Sequence, residues 1–183
     1  MVIPGMNFKD AALHLISQNK KPVDVTEAVA KLKEHFASDE KYAANLDEKQ
    51  LIESARTIRA LEKEMEESIR ENISLIEKGL KIADEGKKRK SGSVPVDILC
   101  KDKKRNTVIV EISACAAGLE EIAAMVNCMG AVSAEDNVPV RGILIAREFS
   151  RAAVNSSKVI KDLELTEYKP EFKFERLTEQ EST

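Results

Sequence analysis

The chain has 183 residues, 33% of them charged, a formal net charge of −3, and only 7 glycines and 5 prolines, which gives room for one substantial soluble core plus a smaller helical appendage. No apolar run approaches the ~18 residues that span a bilayer, and the N-terminus lacks the basic-then-apolar pattern of a secretory signal, so the expected partners exclude the membrane and the expected compartment is the cytoplasm. Overall charge also gives no support to nonspecific nucleic-acid binding, which depends on neutralising phosphates, although the local clusters Lys87-Lys88-Arg89-Lys90 and Lys101 to Arg105 supply cations on a local scale.

Residues 7 to 37 read as two short helices, the first with Ala11, Ala12, Leu15 and Ile16 on one face, the second with Val25, Ala28, Val29, Leu32 and Phe36. Asp24 and Glu27 stand at capping-box distance and give the second helix a local start. His14 and His35 fall in these helices without a surrounding metal or catalytic pattern, so they read as packing or surface residues. From Asp47 the pattern turns strongly helical, with Leu51, Ala55, Ile58, Leu61 or Glu62, Met65 and Ile69 at three- and four-residue steps. Such a stripe can cover a sheet or face a partner, and it motivates the expectation of a homodimer through the helical regions. Asn72 interrupts the run, and Ser74 with Glu77 makes a second capping-box pattern, so the spacing predicts a long helix ending near Glu71 and a short one after Ser74.

The remainder alternates between strand and helix. Val94 to Cys100 and Thr107 to Ile112 are strands joined by a polar turn. Leu119 to Met129 is a helix, Val140 to Ala146 a strand, Ser150 to Ile160 a helix, and Leu163 to Tyr168 and Phe172 to Leu177 two closing strands. This order predicts an α/β fold in which a mixed sheet is covered by helices, with Ile143-Leu144-Ile145-Ala146 as an interior strand. Cys100, Cys115 and Cys128 lack paired ligand spacing and are odd in number, which points to reduced packing residues. For Cys115 in particular, no histidine or cationic setting signals a lowered thiol pKa.

Two acids carry the chemical interest. Asp97 and Glu111 each interrupt an apolar run, where an ionised carboxylate needs a hydrogen bond, a countercharge or a metal. If their segments pair across the short turn, the two approach one another. Paired oxygen ligands suit magnesium, with a phosphate completing the coordination at ideal bonds near ~2.1 Å, and a metal so placed polarises a phosphodiester and organises water.

The run Met65-Glu66-Glu67-Ser68-Ile69-Arg70-Glu71-Asn72 with Ile76-Glu77-Lys78-Gly79-Leu80 resembles the opening helix and the glutamate-glycine-leucine element of a known group. Val96-Asp97-Ile98-Leu99-Cys100-Lys101-Asp102-Lys103 is similar to its first acidic strand and Val108-Ile109-Val110-Glu111-Ile112 to its second. Met129-Gly130, Val140 to Ala146 and Phe172-Lys173-Phe174 match the later helix end and strands. The group is the C-terminal catalytic domain of archaeal and actinobacterial RecB-like DNA endonucleases of the PD-(D/E)xK superfamily. The resemblance implies a restriction-endonuclease-like α/β domain over residues 61–177, after a helical region at 1–60 for oligomerisation or partner binding and before a tail at 178–183. It further implies Asp97 and Glu111 as ligands of Mg2+ or Mn2+, Glu66 as an additional acid, and DNA as the partner.

The polar machinery departs from that pattern. Where active members carry glutamate-x-lysine, this chain reads Glu111-Ile112-Ser113, and a serine is neither cationic nor a comparable base. The glutamine and tyrosine positions of the next helix match Ala124 and Cys128, and the glycine-arginine pair before the first acid matches Val94 and Pro95. No lysine or arginine lies between Ser113 and Val140. Lys88, Arg89, Lys90, Lys101 and Arg147 are the candidate DNA contacts, with Arg147 suited to holding phosphate rather than accepting a proton. Lys158 and Lys161 read as solvated. The expected function is therefore a nuclease-like nucleic-acid-binding or interaction protein without efficient catalysis, binding no metal if the site is vestigial. The alternative is an active metal-dependent DNA endonuclease that uses Asp97, Glu111 and a displaced basic group.

Overall fold

A computed structural model describes residues 48–84, 90–91 and 94–170. The helices expected between residues 7 and 37, His14 and His35, the basic pair Lys88-Arg89 and the strand expected from Phe172 lie outside the described residues. Helix α1 (Glu48–Glu71) leads through a 3-10 turn (Ile73–Leu75) to the short strand β1 (Lys81–Ile82). A two-stranded ribbon of β2 (Lys90–Ser91) and β3 (Val94–Pro95) follows. Next come β4 (Ile98–Lys101), β5 (Thr107–Ala117), α2 (Leu119–Asp136), β6 (Val140–Phe149), α3 (Arg151–Ser157) and β7 (Leu163–Glu167).

The main sheet has the order β1-β4-β5-β6-β7. The two pairs on the β1 side are antiparallel and the two on the β7 side parallel, so the sheet is mixed. Alternation along β5 divides the core. Val108, Val110 and Ile112 pack with Met65 and Ile69 of α1, while Ile109 packs with Ile122, Met125 and Cys128 of α2. Both faces of the sheet are therefore covered by helix, which explains why β5 and β6 read as nearly continuous apolar runs.

Several expected boundaries shift for identifiable reasons. No α-helix begins after Ser74. The chain makes a single 3-10 turn there and leaves Leu75 exposed, and Glu77 bonds Arg141 instead of serving a capping box. The segment from Val94 to Cys100 is two strands, because β3 pairs with β2 before the chain joins the main sheet at Ile98. Helix α2 passes Gly130 and ends at Asp136, seven residues beyond Met129, followed by Asn137 in a left-handed conformation with φ 51°. On α1 it is Glu62 that reaches the sheet, while Leu61 is exposed.

Gly79 shows why its neighbourhood needs glycine. Its φ is +95°, and a Cβ there would sit 2.4 Å from Lys103 Cε, so a side chain would be strained and crowded at once. Among the described residues no helix is long and apolar enough to cross a membrane.

Candidate functional site

Strands β4 and β5 part company just before Ile98, and the two acids close the gap between them. The ladder runs from Lys101↔Thr107 to Ile98↔Val110. One residue further on, the Asp97 backbone N–H donates to Glu111 Oε1 at 3.1 Å, and the Ile112 N–H donates to Asp97 Oδ2 at 3.0 Å. Each carboxylate thus takes a backbone donor of the opposite strand. Both acids are buried, and a buried N–H without an acceptor is strongly disfavoured, so the exchange has a structural value independent of any ligand. It also fixes the acids beside each other at one end of the sheet.

Ser113 follows Glu111 by two residues, on the same side of the strand. It is buried as well, and its Oγ accepts from Cys115 N. Immediately beyond it, β5 bulges: Ser113 registers with Ala146, but the next registered pair is Ala116 with Glu148. The bulge is held on both sides. Ala114 N–H donates to Glu62 Oε1 at 3.3 Å, and the Tyr168 hydroxyl donates to Ala114 O at 3.0 Å. Bulges often re-aim side chains beside active sites, and this one sits where the strand carries its last polar residues.

Glu66 lies on α1, whose Met65 and Ile69 pack on the face of Val108, Val110 and Ile112. Glu66 accepts from Arg70 Nε at 3.0 Å, and Arg70 in turn grips both oxygens of Asp84 at 2.8 and 3.0 Å and donates to Asp97 O. Asp84 also takes the Leu99 N–H at 3.0 Å. The hydrogen bond to Asp84 leads the causes that raise the Arg70 pKa further, so this guanidinium stays charged. Arg70 and Asp84 carry no sequence signal of such a role: a glutamate-arginine pair four residues apart reads as an ordinary surface pair.

The candidate cations separate by position. Lys101 stands at the end of β4 far from Asp97, with Nζ donating to Thr107 Oγ1 at 2.7 Å. Lys90 is backbone-paired with Pro95, two residues before Asp97. Arg147 follows Ala146, the partner of Ser113, and its guanidinium is exposed beside Glu148. On α2, Ala124 is exposed, whereas Cys128 is buried with Sγ 3.7 Å from Pro95 O. Cys115 is half-buried, and burial first, then the charge of Glu62, pushes its thiol pKa up against the smaller opposing pull of Arg147. That setting suits packing rather than nucleophilic attack.

Among the described residues, no group of three or more His, Cys, Asp or Glu side chains converges to hold a metal ion. The acid pair itself suits a magnesium-type ion, which takes one or two carboxylates and completes its shell with waters and phosphate oxygens. The donor chemistry therefore fits such an ion through Asp97 and Glu111.

The chain matches the family model of the endonuclease NucS C-terminal domain over residues 61–179. Among solved structures it is similar to a repair endonuclease from Pyrococcus abyssi, with 28% identity and a TM-score of 0.54 over 60% of this chain and 47% of that one. It is similar to the same degree to EndoMS in the EndoMS-dsDNA2 complex, with 28% identity and a TM-score of 0.54 over 61% of this chain and 46% of that one. The chain thus spans just under half the length of these relatives. A comparison with curated proteins finds no match.

Proposed function

The chain belongs to the endonuclease NucS C-terminal domain family, and from that premise we propose that it engages DNA through a nuclease-like site whose acids persist without the cation needed for efficient cleavage. The observation that carries this reading is the buried Ser113 two residues after Glu111. In that place a lysine would orient water and balance charge on the phosphate, whereas a neutral hydroxyl does neither well. The EndoMS relative seen with double-stranded DNA supports DNA as the ligand.

Asp97 and Glu111 would hold a divalent ion of the Mg2+ or Mn2+ type, and when bound that ion supplies Lewis-acid polarisation of a phosphodiester. The residues of this chain do the positioning. Glu111 is steadied by the Asp97 N–H, Asp97 by the Ile112 N–H, and the Asp97 main chain by Arg70. Arg147 and Lys90, near the same end of the sheet, are suited to phosphate contacts rather than proton transfer.

The active-nuclease reading has one observation in its favour, the exposed Arg147 guanidinium one residue past the partner of Ser113. Titration with Mn2+ followed by incubation with duplex, single-stranded and branched DNA separates the two. The proposal expects metal and DNA to bind while the DNA stays intact. Cleavage that disappears in Asp97→Asn and Glu111→Gln would establish the active nuclease instead, and failure to bind DNA would remove both readings.

A further inference from the structure

The sheet end opposite the acid pair gathers cations from two segments that are distant in sequence. Lys78 and Lys81 come from the stretch that forms β1, and Lys101, Lys103, Lys104 and Arg105 from the end of β4 and its turn. Lys81 is registered directly against Lys101, a like-charge pairing that destabilises a sheet unless something offsets it. The side chain of Lys103 lies over Gly79, with Cε, Cγ and Cδ all within contact of where a Cβ would stand. Folding therefore presses the two basic segments together.

The two acids carried by these segments, Asp102 and Glu77, are engaged by other groups. Asp102 Oδ1 accepts from Lys104 N at 2.8 Å and Asn106 N at 2.9 Å, and Oδ2 accepts from Asn106 Nδ2 at 2.9 Å. These bonds, that of the Asn106 side chain foremost, hold its carboxyl below the usual range. Glu77 bonds Arg141, which also lies 3.8 Å from Asp102. Among the described residues, no carboxylate forms an ion pair with Lys78, Lys81, Lys101, Lys103, Lys104 or Arg105. The turn that carries three of these cations is fixed by Arg105 N–H to Asp102 O at 2.9 Å and Asp102 N–H to Asn106 O at 3.1 Å. A chain with net charge −3 thus concentrates six cations on one preformed edge.

We infer that this edge is a second nucleic-acid contact surface, which grips the sugar-phosphate backbone of a duplex at a distance from the acid pair. Lys101 is four residues from Asp97 along an extended strand, about 13 Å at the strand rise. Lysines act as point charges toward phosphate. No aromatic residue occurs in 77–82 or 101–106, so the edge offers no platform for stacked bases and reads charge rather than sequence. The inference rests on the reading that this chain engages DNA and adds where, and by what chemistry, part of that grip arises.

The test is fluorescence-anisotropy binding of a labelled short duplex to the full chain in EDTA, across about 50 to 200 mM salt, since each lost phosphate contact lowers the slope of log K against log salt by about 0.9. Lys81→Gln/Lys104→Gln removes two exposed charges from the edge, and Arg56→Gln/Lys63→Gln removes two exposed charges from α1. The expected result is a slope lowered by close to two contacts in the first variant and unchanged in the second, with no dependence on duplex sequence. Equal effects in the two variants, or no effect in the first while the parent chain binds, overturn this surface but leave the DNA reading standing. A parent chain that binds no duplex at any salt overturns both.

Discussion

Arg70→Met removes a charge that makes four side-chain hydrogen bonds while keeping a side chain of similar length. The Arg70 side chain is 13% exposed, and the Asp84 side chain it pairs with is 1% exposed. It also serves Glu66 and the carbonyl of Asp97. Methionine would take the Arg70 charge away from the largely buried carboxylates of Glu66 and Asp84, and breaking a buried ion pair from one side costs about 3–5 kcal/mol. Arg70→Lys keeps the charge but loses the planar fork that meets both oxygens of Asp84, so its loss should be nearer the ~1.5–3 kcal/mol of a hydrogen bond to a charged group. Urea unfolding followed by circular dichroism measures both, provided the slope with denaturant is unchanged so that the midpoint reports stability. A loss under about 1 kcal/mol for Arg70→Met, the range of exposed pairs, would refute the reading of Arg70 as the brace of the site.

Asp97→Ala strands the Ile112 N–H in a buried strand, which should cost about 1–3 kcal/mol, whereas Asp97→Asn retains an acceptor and should stay close to the parent in stability while losing at least about tenfold in Mn2+ affinity, about 1.4 kcal/mol. Equal stability losses in the two variants would contradict the reciprocal bracing of β4 and β5. Cys100 is pushed from 9.0 to about 12, by burial first and the charge of Asp84 second. The unfolded chain therefore releases this proton at lower pH than the native one, so the stabilisation is complete below about pH 9 and is lost as pH rises towards the folded value. Urea midpoints should fall progressively over that window, and Ellman's reagent should label Cys100 only as the chain unfolds. Fast labelling of Cys100 itself in the native chain at mildly alkaline pH, read in a Cys115→Ser background, would contradict the buried, high-pKa thiol.

The alternation of Val108-Ile109-Val110 and the short turn after Lys101 are enough to place Glu111 beside Asp97, because register follows from the hairpin. The α/β order is legible for the same reason. What stays hidden is the use of the acids as backbone acceptors, since no residue pattern reveals where a ladder opens. Glu66 is a similar case. Helical spacing puts it on a buried face of α1, but only the assembled fold shows that Arg70 links it to Asp84 and to the Asp97 main chain. Asp84 sits in the polar run Ala83-Asp84-Glu85-Gly86, which reads as loop, and its value comes wholly from Arg70, fourteen residues earlier. The capping box at Ser74 and Glu77 had a local logic that lost to a tertiary one, the ion pair between Glu77 and Arg141. The left-handed stop at Asn137, by contrast, was marked by the following Pro139 and outranks Gly130 as a helix end.

If the acid pair persists while Ser113 stands where a cation is needed for water attack, restoring that cation should restore cleavage. Parent chain and Ser113→Lys are incubated with the same duplex, mismatched and branched DNA in Mn2+, and single-turnover strand cleavage is measured. A positioned acid-base group typically contributes about 10²–10⁴-fold, so intact DNA is expected with the parent and cleavage with Ser113→Lys that Asp97→Asn abolishes. Cleavage by the parent chain that depends on Asp97 and Glu111 would contradict that expectation.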